Sequence, residues 1–303
     1  MRTVLITGAT GFIGVHLVKE CLRNDCKVIA VVRPNSKNLN RLPNSSFIRV
    51  IELEMEKIEE IVEKIEDKRI DIFYHLAWDG VRVPYRDNPI LQNKNYECAI
   101  KSMNAAKKLR CNSFIGIGSQ AEYGICSGKV DENYKVNPTT EYGKFKLKSY
   151  ETLKAMAEEK NMKFIWIRIF SAYGTFDHEG SLIMSTIDKM GRNESIQLTE
   201  CVQNWDYIYV EDVVRILYLL ATENHEDGVY NVASGESRQL REFILEMKDI
   251  CKSKSELQFG ALPYNSEGIR NLEPNIDKLK QNLRYSCKVS FKEGINKILD
   301  HIN

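Results

Sequence analysis

The chain has 303 residues, 43% hydrophobic and 28% charged, with a formal net charge of +1. This is ordinary for a globular protein of one large or two modest domains. The even charge balance excludes bulk attraction to nucleic acid or an anionic membrane as the main mode of binding, and leaves room for a locally basic site that takes a small anion.

The first half alternates short apolar runs with helical patterns. "TVLITG" (3–8) predicts a strand, "FIGVHLVKECLRN" (12–24) an amphipathic helix, and "KVIAVVR" (27–33) a second strand. "FIRVIEL" (47–53) is a third strand, followed by the helical pattern "EKIEEIVEKIED". "IDIFYHLA" (70–77) is a fourth strand, with a long helix over about 90–110 and a fifth strand, "SFIGIG" (113–118). A helix then runs toward residue 160, before a sixth strand, "KFIWIRIF" (163–170). Continuous apolar strands suit a parallel sheet buried on both faces. Their alternation with helices implies right-handed βαβ units, hence an α/β fold with a doubly wound, Rossmann-type parallel sheet.

After residue 170 the rhythm loosens. "SLIMSTIDKM" is helical, "WDYIYVEDVVRILYLLA" is a short strand then a helix, and "GVYNVAS" is a further strand. Helical patterns follow near 238–251 and 290–302. With no Pro/Gly linker in view, this part is expected to pack closely on the first. No signal peptide is expected, and no apolar stretch approaches the roughly 20 residues of a membrane span. The eight cysteines (Cys21, Cys26, Cys98, Cys111, Cys126, Cys201, Cys251, Cys287) match no CxxC pair and no zinc pattern. They read as reduced thiols of a cytoplasmic protein, with no metal.

"TGATGFIG" places Gly8, Gly11 and Gly14 between the first strand and the first helix. Glycines there permit a tight turn and close approach to a pyrophosphate, while the helix start offers free N–H groups. A dinucleotide is therefore expected. The second strand ends "AVVRPNSKN", with no acid to bond a ribose 2′-OH. Arg33, with Ser36 and Lys37 beyond it, points instead to the 2′-phosphate of NADP(H), with NAD(H) as the alternative. "TEYGKFK" (140–146) sets Tyr142 and Lys146 four apart, on one helix face about 5–6 Å apart at Cβ. An ammonium near a phenol favours the phenolate, so the expected effect is a lowered tyrosine pKa. Alone, the pair reads as structural rather than catalytic.

Several motifs in order change that balance. "HLAW" (75–78), Asn95, "GSQAEYG" (118–124), "YGKFK" (142–146), "RIFSAYG" (168–174), "WDYIYVEDV" (205–213) and "YNVASGES" (230–237) join the glycine loop. Together they resemble the extended short-chain dehydrogenase/reductases, the NAD-dependent epimerase/dehydratase group acting on nucleotide sugars. The resemblance runs over essentially the whole chain. It implies a dinucleotide-binding domain over 1–170, completed by about 205–232, and a smaller, mostly helical substrate-binding part over 171–303. It implies a catalytic trio of Ser119, Tyr142 and Lys146, with Tyr142 as the proton donor or acceptor at a substrate oxygen and Ser119 bonding that oxygen. Further cofactor contacts are implied at Thr10, Phe12 and Ile13, at Leu53, at Leu76, Ala77 and Trp78, and at Asn95 and Ile169. Substrate contacts are implied at Ser119, Gln120, Ser171, Trp205 and Arg270. The group also commonly dimerises through the helices near 95–110 and 142–160, so a homodimer is expected.

Departures from the group's patterns choose among its branches. Dehydratases carry an Asp–Glu pair directly after the Ser/Thr; here Gln120 and Ala121 follow Ser119, and neither shuttles a proton. Glu122 is displaced by one and, on a strand, would point to the other face. A branch that uses a cysteine and a histidine finds only Cys126 and His178, and His178 reads rather as a surface-loop residue. Where 4-epimerases usually carry Asn and Arg, this chain has Ser171 and Trp205. The expectation is NADPH-dependent reduction of a nucleotide-activated 4-keto-6-deoxyhexose, with Arg270 on the substrate diphosphate. An NAD-dependent sugar 4-epimerase is the alternative, and a non-catalytic NADP-binding regulator is the alternative of another class.

Overall fold

The computed structural model describes residues 1–66, 69–159, 161–264 and 270–302. Its central sheet has seven parallel strands: β1 (Thr3–Thr7), β2 (Lys27–Val32), β3 (Ile48–Glu52), β4 (Ile72–His75), β5 (Ser113–Ser119), β6 (Lys163–Ile169) and β7 (Gly228–Val232). Their spatial order is β3-β2-β1-β4-β5-β6-β7. The chain winds outward from β1 to β3, then returns to pair β4 with the other side of β1. The order thus reverses between β1 and β4, and the carboxyl ends of those strands form a crevice.

The helices are α1 (Phe12–Arg23), α2 (Ile61–Lys64), α3 (Pro89–Lys108), α4 (Glu141–Glu158), α5 (Leu182–Gly191), α6 (Val210–Thr222), α7 (Leu240–Ile250), α8 (Asp277–Leu283) and α9 (Phe291–Ile302). Strand alternation sorts them into layers. On β1, Val4 and Ile6 join a core with Leu17 and Val18 of α1 and Val213, Val214 and Leu217 of α6. Leu5, between them, faces a second core with Ala99, Met103 and Ala106 of α3 and Leu153 of α4. A side-chain period of two on a strand produces this split. A third core draws Ile183, Ile187 and Met190 of α5 together with Ile244 and Met247 of α7 and Ile295 and Ile298 of α9. This is the mainly helical C-terminal part, beside the carboxyl end of the sheet. No helix of the described residues is long and apolar enough to cross a membrane.

Three local expectations need correction. The pattern "EKIEEIVEKIED" forms a 3₁₀ turn over Met55–Glu60, kinked at Lys57, and only four α-helical residues, Ile61–Lys64; its Asp67 lies outside the described residues. The run 70–77 is strand only over Ile72–His75, because the chain leaves the sheet at Leu76 to shape the crevice. The strand after α3 ends at Ser119, and Glu122 lies in a 3₁₀ turn, Gln120–Glu122, so strand alternation does not set its direction. Helix α8 carried no sequence expectation.

Candidate functional site

The loop from β1 to α1 forms one wall of a groove at the carboxyl ends of β1, β2 and β4. Gly8 has φ +70°, and a Cβ on it would lie 2.9 Å from the Ala77 backbone nitrogen. A Cβ on Gly14 would sit 2.1 Å from the Gly8 carbonyl oxygen, so the first turn of α1 can approach the loop only without a side chain. Gly11 is the N-cap of α1, no side chain caps it, and the first turn holds no acid. Free N–H groups and the positive helix end are thus left for an anion. This geometry fits the pyrophosphate of a dinucleotide.

Gly8, Thr10, Gly11, Arg33, Leu53, Leu76, Ala77, Trp78 and Asn95 all line the groove. Asn95 is committed to the chain itself, accepting from Asp79 N at 3.0 Å and donating to Asp79 O at 2.8 Å. Arg33 reaches Asp79 Oδ1 at 3.4 Å across the groove, both side chains being largely exposed. The Ser36 hydroxyl lies 3.3 Å from that of Thr10. Lys37 is exposed and off the groove wall, contrary to expectation: Asn35 takes φ 56°, Ser36 N bonds back to Arg33 O, and the turn presents Asn38 to the groove instead. Gly14 is buried behind Gly8 rather than on the wall.

A second cavity begins where the first ends. Leu76 and Trp78 line both. Phe12, Ile13 and Ile169, expected at the cofactor, line this second space. So do Ser119, Gln120, Tyr142, Lys146, Ser171, Trp205 and Arg270. The structure therefore brings the expected trio and every expected substrate contact to the lining of one cavity, next to the groove.

Thr140 caps α4, its hydroxyl accepting from Gly143 N at 3.2 Å, which fixes the helix start beside Tyr142. Lys146, 4% exposed, donates to Ile117 O at 2.7 Å and lies 3.6 Å over the Trp78 ring. Burial pulls its ammonium down to about 7, against the attraction of Glu122. Burial pushes the Tyr142 phenol up to about 12; the Ser119 hydroxyl, hydrogen-bonded to it, and the charge of Arg86 act the other way. The expected lowering by Lys146 is thus not what this structure shows. Desolvation sets the direction, and the Lys146 ammonium is itself weakened by burial.

Ser119 serves the backbone as well as the cavity. Its hydroxyl accepts from Ala121 N at 3.2 Å, and Glu122 accepts from Ser119 N at 2.8 Å, a reciprocal cap. Glu122 is fully buried and also accepts from Trp166 Nε1 and from Arg168 Nε, at 3.0 and 2.8 Å. It turns away from the cavity. Gln120 Oε1 accepts from Ser171 N at 3.2 Å, joining the two strand exits. Trp205 stands in a two-residue strand, Asn204–Trp205, paired with Arg238–Gln239, and its indole N–H is buried without a partner among the described residues. Arg270 donates to the Thr139 hydroxyl at 3.2 Å. His178 is exposed, its Nδ1 accepting from Gly180 N at 2.9 Å, in line with the surface-loop reading. Neither it nor Cys126 lines the cavity.

The sequence missed Arg82, Arg86 and Asp177 on the cavity wall. Arg82 Nη2 meets Asp177 Oδ1 at 2.8 Å and ties the loop after β4 to the loop after Ala172–Tyr173. It also missed Glu56 and Lys94 at the groove, which form an ion pair. Arg82, Arg86 and Asp177 lie in or beside loops, where no periodicity marks them, while Glu56 and Lys94 sit in helical patterns and read there as ordinary charged positions.

The family model described as "NAD dependent epimerase/dehydratase family" matches residues 4–233. The CDP-abequose synthase of Salmonella muenchen is 27% identical, over 98% of this chain and 97% of that protein. The dTDP-4-dehydro-6-deoxyglucose reductase of Escherichia coli is 26% identical, over 99% of this chain and 97% of that one. Among solved structures, the UDP-glucose 4-epimerase of Thermotoga maritima with UDP-glucose superposes with a TM-score of 0.88 at 23% identity, covering 99% and 98% of the two chains. That likeness is one of fold.

Proposed function

The chain belongs to the NAD dependent epimerase/dehydratase family and is an enzyme, and within that family we propose that it is an NADPH-dependent reductase of a nucleotide-activated 4-keto-6-deoxyhexose. The observation that carries the reading is the junction itself. Ser119, Tyr142 and Lys146 line the second cavity, next to a groove suited to a dinucleotide. The two relatives that act on deoxysugar nucleotides support the substrate class.

The groove residues would hold the dinucleotide through the uncapped start of α1, with Arg33 at the 2′-phosphate, and the nicotinamide would supply a hydride when bound. The chain's own part is to hold the ketone and give it a proton. Tyr142, protonated at neutral pH as phenols are, is placed to donate to the substrate oxygen. Ser119 bonds the same oxygen as charge develops on it. Lys146 stands beside the phenol and steadies it through the Trp78 face and the Ile117 carbonyl. Gln120 and the sequestered Glu122 provide no acid–base pair at the cavity, which disfavours dehydration.

The C-terminal part, 171–303, is read as the substrate-binding part and 1–170 with about 205–232 as the dinucleotide-binding domain. Trp205 and Arg270 take the nucleotide end, and a homodimer through α3 and α4 is the expected assembly. The first test is fluorescence titration of purified protein with NADPH and NADH, with a check for retained nucleotide. Exchangeable NADPH, preferred at least ~10-fold and losing that preference in Arg33→Ala, supports the reading. Tightly retained NAD without an NADPH preference replaces it with a 4-epimerase.

A further inference from the structure

Arg86 stands on the turn Tyr85–Asp87 between β4 and α3, with its guanidinium carbon 5.8 Å from the centre of the Tyr142 ring. Among the described residues no carboxylate lies within ion-pair distance of it, and its Nε is buried without a hydrogen-bond partner. The turn is held by other means. Asp87 Oδ1 accepts from Glu141 N, at the start of the helix that carries Tyr142, at 3.1 Å. The Asn88 side chain caps α3 by accepting from Leu91 N at 3.1 Å, and Arg86 N donates to Arg82 O at 2.9 Å. The backbone of the turn is therefore anchored beside Tyr142, and among the described residues no acid pairs with the guanidinium.

The other charged groups near the phenol are committed elsewhere. Lys146, on the same helix, has its Nζ 5.8 Å from the ring centre, but it bonds Ile117 O, lies against Trp78, and is partly uncharged near neutrality. Glu122, from the turn after β5, opposes a phenolate but is paired with Arg168. His75, below Lys146, is held neutral by its burial. Arg82 is paired with Asp177, and Arg270, on the far wall, bonds Thr139. A guanidinium stays charged at every working pH.

We propose that Arg86 is a positioning residue for the reaction, the permanent positive charge that stabilises the phenolate left on Tyr142 after its proton has passed to the substrate. This rests on the reading of Tyr142 as proton donor. The O–H bond of Tyr142 breaks, the proton goes to the ketone oxygen, the electron pair stays on the phenolate, and Arg86 faces that new charge. Removing one unit charge from beside the ring moves such an equilibrium by on the order of one pH unit.

The test titrates Tyr142 directly. Protein labelled at tyrosine Cζ with carbon-13 and saturated with NADP⁺ is followed by NMR to pH 11, and Tyr142 is assigned by its loss in Tyr142→Phe. With the phenol held up to about 12, pH 11 reads the onset of ionisation, from which the midpoint is extrapolated: Arg86→Gln is expected to raise it by on the order of one pH unit, with ~10-fold less phenolate at pH 11, while Arg86→Lys stays within about 0.3 of the unaltered protein. Where Arg86→Gln does not fold, Arg86→Met takes its place. An unchanged midpoint in the neutral variant overturns the proposal. So does a Tyr142 that shows no onset of ionisation by pH 11 in the unaltered protein. A higher KM for the nucleotide sugar with kcat and the midpoint unchanged also overturns it, and makes Arg86 a substrate anchor. If no keto sugar turns over but the midpoint still shifts, the substrate reading falls while the Arg86–Tyr142 coupling stands.

Discussion

Glu122 and Arg168 form an ion pair at 2.8 Å, with side chains 0% and 3% exposed, directly behind the serine that faces the cavity. The carboxylate also holds Ser119 N and Trp166 Nε1, so one buried acid sets the direction of the β5 exit. Removing one partner of such a pair leaves an uncompensated charge. Glu122→Ala is expected to lower unfolding stability by about 3–5 kcal/mol, and Glu122→Gln by less, because an amide still accepts from Ser119 N. Urea denaturation of the three proteins checks the order.

Tyr142→Phe removes the proton donor and leaves the ring against Trp78, 6.2 Å between centroids. Turnover is expected to fall by roughly 10²- to 10⁴-fold, with NADPH affinity changed less than about threefold. Steady-state rates and a cofactor titration on the same preparation separate the two. Equal losses in both would make Tyr142 a structural residue.

Gly14→Ala places a methyl 2.1 Å from the Gly8 carbonyl oxygen, and neither is on a flexible side chain. The loop must move away from α1. Cofactor affinity is expected to fall by at least ~10-fold, together with a loss of about 1–3 kcal/mol in stability. Titration calorimetry and thermal melts read the two effects.

His75 is 3% exposed, shares a hydrogen bond of 3.1 Å with the Thr7 hydroxyl, and is drawn down to about 3 by its burial and then by Lys146. The unfolded chain binds this proton at about 6.5, so the unfolded state holds more protons between about 3 and 6.5. Stability from this group is complete above about 6.5 and falls as the pH drops toward 3. The loss over that window is expected to be about 3–5 kcal/mol, and smaller in His75→Asn. Denaturation midpoints at pH 7, 5.5 and 4.5 test it.

What the sequence made legible was local. The apolar runs of β1 and β2 and the glycines between β1 and α1 carry their structure in a few neighbouring residues, and the YxxxK spacing places two side chains on one helix face. What it hid was set by distant packing. The pattern "EKIEEIVEKIED" reads as one helix, yet Met55–Glu60 lie as a kinked 3₁₀ turn against α3 and only Ile61–Lys64 are α-helical. The direction of the Tyr142 shift depends on burial, which no spacing reveals. Arg86 and Asp177 reach the cavity from loops after β4 and after Ala172–Tyr173, where chain direction alone decides what a side chain faces.

The most direct measurement is NADPH consumption at 340 nm with a panel of nucleotide-linked 4-keto-6-deoxyhexoses, with product counted alongside. The account predicts one NADPH lost per alcohol formed for at least one of these substrates, and loss of that turnover in Tyr142→Phe. Interconversion of sugar epimers with no net NADPH consumed, or consumption undiminished in Tyr142→Phe, would contradict it.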